Sequence, residues 1–142
     1  MLSSPHGSEI FLYFSGLIIM FFELEKSFRF EAGHVIVHHD GKCRNPHGHS
    51  YMLSVVLRSS SLIPSGPKAN MVMDFNDLSN IVMPMVDQYL DHQWLNDTLN
   101  CESPTVEFIA KWIFEYLEPF LPSLHAITIH ETHSSKVTYR KP

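Results

Sequence analysis

Residues 22–34 read FELEKSFRFEAGH, and the predicted fold follows from this stretch. Apart from Lys26, the even positions are apolar and lead through Phe28 and Phe30 to His34, whereas the odd positions are mostly charged. An alternation of period two is typical of a half-buried strand, with one row of side chains facing a core. The pattern therefore predicts a strand that presents His34 on its inward side.

A second histidine-bearing stretch, CRNPHGHSY, occupies residues 43–51. If this segment is extended, His47 and His49 point to the same face of a strand. Together with His34 they form a set of three imidazoles, which suits Zn²⁺ and leaves one coordination position open for a substrate or water. Cys43 lies four residues before His47, where it is predicted to be a reactive thiol beside the metal rather than a ligand.

Chance is the alternative explanation for the histidine pair, because ten histidines are present in the chain. The alternating strand and the nearby cysteine favour a zinc enzyme over chance. His38 and His39 are adjacent, so they cannot share a strand face, and we expect them to be solvated loop residues. Cys43 as a plain core residue is disfavoured by its polar neighbours, and Cys101 is assigned no role.

The remaining patterns predict two helices and a closing hairpin. Asp74 is a good N-cap for a first helix, in which Pro84 predicts a kink or a break. A second helix is predicted from Ser103, with Pro104 in its first turn. The other predicted strands run from 51 to 57, 126 to 132 and 137 to 139. Together these elements predict an α+β fold with a four-stranded antiparallel sheet and both helices on one face.

Length and charge restrict the possible functions. A chain of 142 residues fits one domain, and a net charge of −5 argues against a general nucleic-acid binder. Two cysteines are too few for a disulfide framework and favour the cytoplasm.

Residues 1–21 form an apolar N-terminal extension. Its apolar run is shorter than the roughly 20 residues that span a bilayer, and no basic residue precedes the run, so neither a membrane span nor a secretory signal is predicted. Two interpretations stay open: a mis-annotated start, with Met20 as the true first residue, or a real appendage.

Six short motifs occur in a fixed order along residues 22–140, and together they resemble the 6-pyruvoyl-tetrahydropterin synthase family. The motifs are FEAGH at 30–34, CRNPHGHSY at 43–51, MVMDF at 71–75, LDH at 90–92, PT at 104–105 with Glu107, and ET at 131–132. The spacing between Cys43 and His-Gly-His resembles the bacterial 6-carboxy-tetrahydropterin synthase branch. On this basis residues 22–142 are interpreted as one pterin synthase-like domain.

The resemblance implies the tunnelling fold, in which subunits join their sheets into a closed barrel and trimers stack into hexamers with active sites between subunits. It also implies roles for individual residues. These are Zn²⁺ binding by His34, His47 and His49; catalysis by Cys43, Asp91 and His92; and pterin binding by Glu131, with Thr105 and Glu107 nearby.

Ordinary structural roles compete with several of these assignments. Asp91 is also suited to be a helix-capping residue, and His92 to be an ordinary surface residue. Glu107 is also suited to the first turn of a helix, where its charge complements the helix dipole. Glu131 follows the apolar residues Ile127 and Ile129 on one strand face, so its carboxylate needs a partner there. Lys26 and Arg29 are equally compatible with solvated charges and with binding a triphosphate.

The implied activity is the zinc-dependent conversion of 7,8-dihydroneopterin triphosphate to 6-carboxy-5,6,7,8-tetrahydropterin, acetaldehyde and triphosphate, on the way to queuosine and other 7-deazapurines. Two alternatives remain open at this point. One is the pyruvoyl reaction of the tetrahydrobiopterin pathway, in which the side chain is retained. The other is a non-catalytic homologue that binds zinc or pterin.

Overall fold

A computed structural model describes residues 10–13 and 16–142, with side chains from residue 18 onward. In this part of the chain the strands are β1 (Ile10–Tyr13), β2 (Gly16–Ile19), β3 (Phe22–His34), β4 (His47–Ser59), β5 (Gln93–Trp94), β6 (Leu124–Thr132) and β7 (Ser135–Arg140). The α-helices are α1 (Phe75–Met85), α2 (Leu95–Thr98) and α3 (Val106–Leu117).

The main sheet has the strand order β5-β3-β4-β6-β7. All its pairings are antiparallel except that of β5, which runs parallel to β3. Strands β3 and β4 pair along their whole length, and this register sets His34 opposite His47 and Ala32 opposite His49. The three histidines therefore meet at one end of a long two-stranded ribbon.

The core lies between the sheet and the helices. The predicted inward row of β3 is confirmed from Phe28 onward, because Phe28, Phe30, Ala32 and His34 are buried while the odd-numbered residues between them are exposed or half-buried. The earlier members of the row, from Phe22 to Lys26, are exposed or half-buried. Helices α1 and α3 contribute their apolar faces to the same cluster, including Leu78 and Ile113, both fully buried. The charged odd positions of β3 face away from the helices.

The prediction of four strands and two helices was incomplete. The sheet gains β5, which pairs with Ala32 and Gly33 of β3, and a short helix, α2, follows directly. Two residues are too few for a periodic pattern to indicate a strand, since β5 forms only where the chain passes the edge of β3.

The structure defines where both predicted helices end or begin. Helix α1, in which Pro84 predicted a kink or a break, continues to Met85 and then widens into a π-helix over Val86–Leu90. The second predicted helix, α3, begins at Val106 instead of Ser103. Thr105 is its N-cap, and its side-chain oxygen accepts a hydrogen bond from the backbone N–H of Phe108.

The predicted N-terminal extension lies partly outside the described residues. Within it, β1 and β2 pair as an antiparallel hairpin. No helix in the described ranges 10–13 and 16–142 is long and apolar enough to cross a bilayer.

Candidate metal centre and active site

Three histidine side chains converge where β3 ends and β4 begins. The ring centroids of His34 and His47 lie 4.5 Å apart, and those of His34 and His49 lie 5.2 Å apart. One nitrogen from each ring lies within 4.8 Å of the others. This spacing is compatible with one metal ion bound by all three, as predicted from the strand alternation.

Backbone carbonyls determine which nitrogen of two of these rings carries the proton. Nδ1 of His34 donates to the carbonyl oxygen of Pro104 at 2.9 Å, and Nδ1 of His47 donates to that of Asn45 at 2.7 Å. A carbonyl oxygen only accepts, so each Nδ1 is protonated and each Nε2 of the neutral rings keeps its lone pair. Both rings are thereby in the tautomer that coordinates a metal through Nε2.

The third histidine has a buried nitrogen that requires a partner. Nε2 of His49 is buried without a hydrogen-bond partner among the described residues. An unpaired buried polar atom is unfavourable, and a metal ion bound by the three rings would pair it. The donor set of three imidazoles therefore fits Zn²⁺.

The electrostatics of the site keep two of the rings neutral. Burial lowers the pKa of His34 and of His49. This effect exceeds the opposing effect of the Pro104 hydrogen bond at His34 and that of the Glu131 carboxylate at His49. Neutral imidazole is the form that binds metals, so burial prepares these rings for coordination.

Glu131 and Tyr51 complete the inner wall of the site. An oxygen of Glu131 lies 3.7 Å from Nε2 of His49, and Glu131 shares its face of β6 with the buried Ile127 and Ile129. The structure thus places this predicted pterin-binding carboxylate beside the histidines. Burial, together with the charge of Glu131, raises the pKa of Tyr51, so this phenol stays protonated.

Asp91 and His92 form an ion pair that the backbone of β3 holds in place. Nδ1 of His92 lies 2.9 Å from one oxygen of Asp91, and the other oxygen accepts from the N–H of Glu31 at 2.9 Å. The N–H of His92 in turn donates to the carbonyl of Glu31. His92 has a φ of 57°, a left-handed conformation that is uncommon outside glycine, and its side chain is 79% exposed.

These contacts shift both pKa values of the pair. The hydrogen bond from the Glu31 N–H, followed by that from His92, lowers the pKa of Asp91. The hydrogen bond to Asp91 raises the pKa of His92. Asp91 therefore ionises more readily than an unpaired aspartate, and the His92 ring stays charged to a higher pH than an unpaired histidine.

An open cleft of about 630 Å³ joins the two groups of residues. Its lining includes His47 and His49 of the metal site, His92 of the ion pair, and the indole of Trp94. The cleft is large enough for a small molecule that reaches both groups.

Cys43 is not joined to the ion pair within this chain. It lies in a 3₁₀ turn, Lys42–Arg44, and is half-buried. Among the described residues, no hydrogen bond or ion pair links Cys43 to Asp91 or His92. Its catalytic role remains a prediction, and the partners implied for it are those expected from another subunit.

The other predicted pterin-binding residues have structural roles in this chain. Thr105 caps α3, and the preceding residue, Pro104, supplies the carbonyl that holds His34. Glu107 is exposed in the first turn of α3, where it complements the helix dipole. Their roles in substrate binding remain predictions. His38 and His39 are exposed loop residues, as expected.

Asn96 is a positioning residue that the sequence pattern did not reveal. Its side-chain oxygen accepts from the N–H of Val35 at 2.9 Å, and its amide nitrogen donates to the Val35 carbonyl at 2.8 Å. The amide therefore holds the backbone directly after His34. Backbone partners such as these and the Pro104 carbonyl leave no signal in the sequence, since every residue type carries the same carbonyl.

The sheet and its three-histidine centre define an α+β protein with a candidate metal site at the end of two adjacent strands. A sequence profile described as 6-pyruvoyl tetrahydropterin synthase matches residues 23–142, and the chain belongs to this family.

Relatives and a solved structure agree with this assignment. The chain is 47% identical over 118 residues to a 6-carboxy-5,6,7,8-tetrahydropterin synthase of Synechocystis, covering 82% of this chain and 92% of the relative. A synthase of the same name from Haemophilus influenzae is 43% identical, with 84% and 99% covered. The structure of Caenorhabditis elegans 6-pyruvoyl tetrahydropterin synthase superposes with a TM-score of 0.74 at 27% identity, covering 87% of this chain and 97% of that one.

Proposed function

We propose that this protein is a cytoplasmic, zinc-dependent lyase that converts 7,8-dihydroneopterin triphosphate to 6-carboxy-5,6,7,8-tetrahydropterin. One water is consumed, and acetaldehyde and triphosphate are released, in a step toward queuosine and other 7-deazapurines. The observation that carries the proposal is the convergence of His34, His47 and His49, with two rings held in the metal-binding tautomer. The names of the Synechocystis and Haemophilus relatives support the carboxy product.

The three histidines would hold the zinc ion through their Nε2 atoms. With three protein ligands, a bound Zn²⁺ keeps an open position and supplies a Lewis acid that makes a neighbouring hydroxyl group more acidic. Asn96 and the Pro104 carbonyl keep His34 in place during the reaction.

Proton transfer is assigned to Cys43 and the Asp91–His92 pair. The thiolate of Cys43 is the general base that removes a proton from the substrate side chain. A charged His92 near the thiol favours its ionisation, and Asp91 keeps His92 charged and oriented. Loss of triphosphate follows proton removal.

Glu131 is proposed to anchor the pterin ring. The amino-pyrimidine edge of a pterin offers two parallel N–H donors, which match the two oxygens of a carboxylate. Glu131 is half-buried and lies beside His49, so a ring held there places its side chain toward the metal site. Thr105 and Glu107 are assigned to the same end of the substrate.

A trimer or hexamer with shared active sites would complete the machinery. Strand β7 ends the sheet on one side, and β5 covers only two residues of β3 on the other. The unpaired N–H and C=O groups of both edges would pair if neighbouring subunits continued the sheet into a barrel. Such an arrangement would bring Cys43 of one chain to Asp91 and His92 of another.

Product analysis tests the proposed reaction. The zinc-loaded protein is incubated with 7,8-dihydroneopterin triphosphate, and the products are identified by mass spectrometry beside the His47→Ala variant. The proposal expects 6-carboxy-5,6,7,8-tetrahydropterin and acetaldehyde from the unaltered protein only. A 6-pyruvoyl product would instead assign the activity named for the Caenorhabditis structure, and bound but unchanged substrate would indicate a non-catalytic binder.

A further inference from the structure

The hydroxyl group of Tyr51 is buried beside the three histidines. Its side chain is 1% exposed, and its ring stacks on that of Phe30 with the centroids 4.7 Å apart and the planes inclined by 12°. The stacking fixes the ring, so the hydroxyl has little freedom to move. Among the described residues, its hydrogen-bond partner is Nε2 of His34, at 3.5 Å.

That partner is the nitrogen expected to bind the metal. Nδ1 of His34 already donates to the Pro104 carbonyl, so the only lone pair of the ring is on Nε2. The hydrogen of the Tyr51 hydroxyl and a metal ion therefore compete for one lone pair. When the metal binds, the hydroxyl loses its acceptor and remains buried, which is unfavourable unless another acceptor arrives.

The hydroxyl of Tyr51 lies close to where a metal ion would bind. Its oxygen is 3.5 Å from Nε2 of His34, and a zinc ion would bind that nitrogen at about 2.0–2.1 Å, so the hydroxyl would be at most about 5.6 Å from the ion. A substrate oxygen bound to the ion on the side that faces Tyr51 would then be able to accept a hydrogen bond from the hydroxyl. A neutral phenol is a donor at any working pH below its ordinary pKa of about 10.

We propose that Tyr51 is a substrate-positioning residue whose hydroxyl donates a hydrogen bond to a side-chain oxygen of the bound pterin. This inference rests on the proposed function, because it assumes a pterin with a hydroxylated side chain at the metal. Tyr51 thus selects the polyol side chain, whereas Glu131 recognises the ring.

The Tyr51→Phe variant tests the proposal, since it keeps the stacked ring and removes only the hydroxyl. The zinc-loaded proteins are titrated with neopterin, which carries the trihydroxypropyl side chain, and with 6-methylpterin, which lacks the hydroxyls. We expect the variant to bind neopterin roughly 3–10-fold more weakly, the range of one net hydrogen bond, and to bind 6-methylpterin unchanged. Zinc content stays at the level of the unaltered protein. Tyr139→Phe, which alters an exposed tyrosine, is the matched control.

Each other outcome overturns the inference. Unchanged neopterin binding in Tyr51→Phe, or equal weakening for both pterins, shows that the hydroxyl does not contact the side chain. Loss of zinc from the variant shows that the hydroxyl supports the metal instead. If the unaltered protein itself does not prefer neopterin to 6-methylpterin, the proposed function fails as well. If the unaltered protein has this preference and Tyr51→Phe retains it, only the inference about Tyr51 fails.

Discussion

At the scale of single residues, the candidate metal site is characterised by which histidine nitrogens already take part in hydrogen bonds and which do not. Two of the three metal-site histidines use Nδ1 to hold a backbone carbonyl, and this bond orients the ring and exposes Nε2. The third, His49, has a buried Nε2 without a hydrogen-bond partner in the described chain. These features favour a metal site over a chance cluster of histidines.

Replacing His47 with alanine should remove metal and activity together. His47 supplies one of three nitrogens, and two remaining histidines do not hold zinc firmly. We expect less than a stoichiometric amount of zinc by metal analysis and an activity reduced by more than roughly 100-fold. The control is His38→Ala, at a 79% exposed histidine outside the site. Full zinc in His47→Ala would exclude this residue as a ligand.

Replacing Asp91 with asparagine should lower the pKa of His92 toward its ordinary value of 6.5, because the neutral amide no longer stabilises the charged ring. NMR titration of the His92 ring proton measures the shift, with Asp97→Asn as a control at an exposed aspartate. The alkaline limit of activity should move to lower pH in parallel. An unchanged His92 pKa would contradict the assigned pairing.

The same pair contributes to stability in a defined pH window. Its contribution is full between the ordinary pKa values of 3.8 for Asp91 and 6.5 for His92. It declines as the pH rises through the raised pKa of His92, and also as the pH falls through the lowered pKa of Asp91. Asp91→Asn should flatten this dependence in thermal unfolding.

At the scale of elements, the short strand β5 connects the ion pair to the metal site. It starts at Gln93, directly after His92, and lies against the last residues of β3. A β-carbon at Gly33 would lie 3.1 Å from ring atoms of Trp94, closer than a normal contact. Glycine at this position therefore allows the indole to pack on β3 and holds β5 in place.

Replacing Gly33 with valine should disturb β5 specifically. The added side chain overlaps the Trp94 ring, and overpacking of this kind costs about 1–3 kcal/mol in the free energy of unfolding. Urea unfolding measures the loss, and turnover should fall because Asp91 and His92 move with β5. Glu25→Val, at an exposed position of the same strand with no assigned site role, is the control.

A double variant shows whether the indole is the cause. If it is, Trp94→Ala should destabilise the Gly33→Val protein less than it destabilises the unaltered one. Additive losses would mean that the valine acts elsewhere, for example on the His47 carbonyl at 3.3 Å.

At the scale of the whole molecule, one chain carries the candidate metal site and the ion pair but does not join Cys43 to the pair. The sheet also ends in edges that have backbone groups to pair. In the proposed barrel, neighbouring chains would pair the backbone groups of the edges. Each active site would also take residues from two chains, which would bring Cys43 to the ion pair.

Subunit mixing tests this arrangement. Cys43→Ala should keep its zinc, and both it and His92→Ala should lose roughly 10²–10⁴-fold in turnover. After the two variants exchange subunits, about a quarter of the interfaces should carry both intact residues and restore that share of the activity. No recovery in mixed oligomers confirmed by native mass spectrometry would place both residues in one chain, and a monomeric protein would exclude the assembly.

Local pattern was sufficient to predict much of the fold and the convergence of the three histidines. The alternation of residues 22–34 predicted both the strand and the buried position of His34, and His-x-His predicted two rings on one face. Asn70 has a φ of 66°, a left-handed conformation that asparagine adopts more readily than most residues. These features depend on a residue and its near neighbours, which is the information that a sequence contains directly.

The tertiary structure alone decided the contacts between distant residues. The Pro104 carbonyl that holds His34 lies 70 positions along the chain, and Asn96 lies 61 positions from the Val35 backbone it binds. Strand β5 and the contact between Asp91 and Glu31 likewise exist only because the chain returns to the edge of β3. Such partners are set by the path of the folded chain, and the backbone groups involved are the same in every residue, so no local pattern could indicate them.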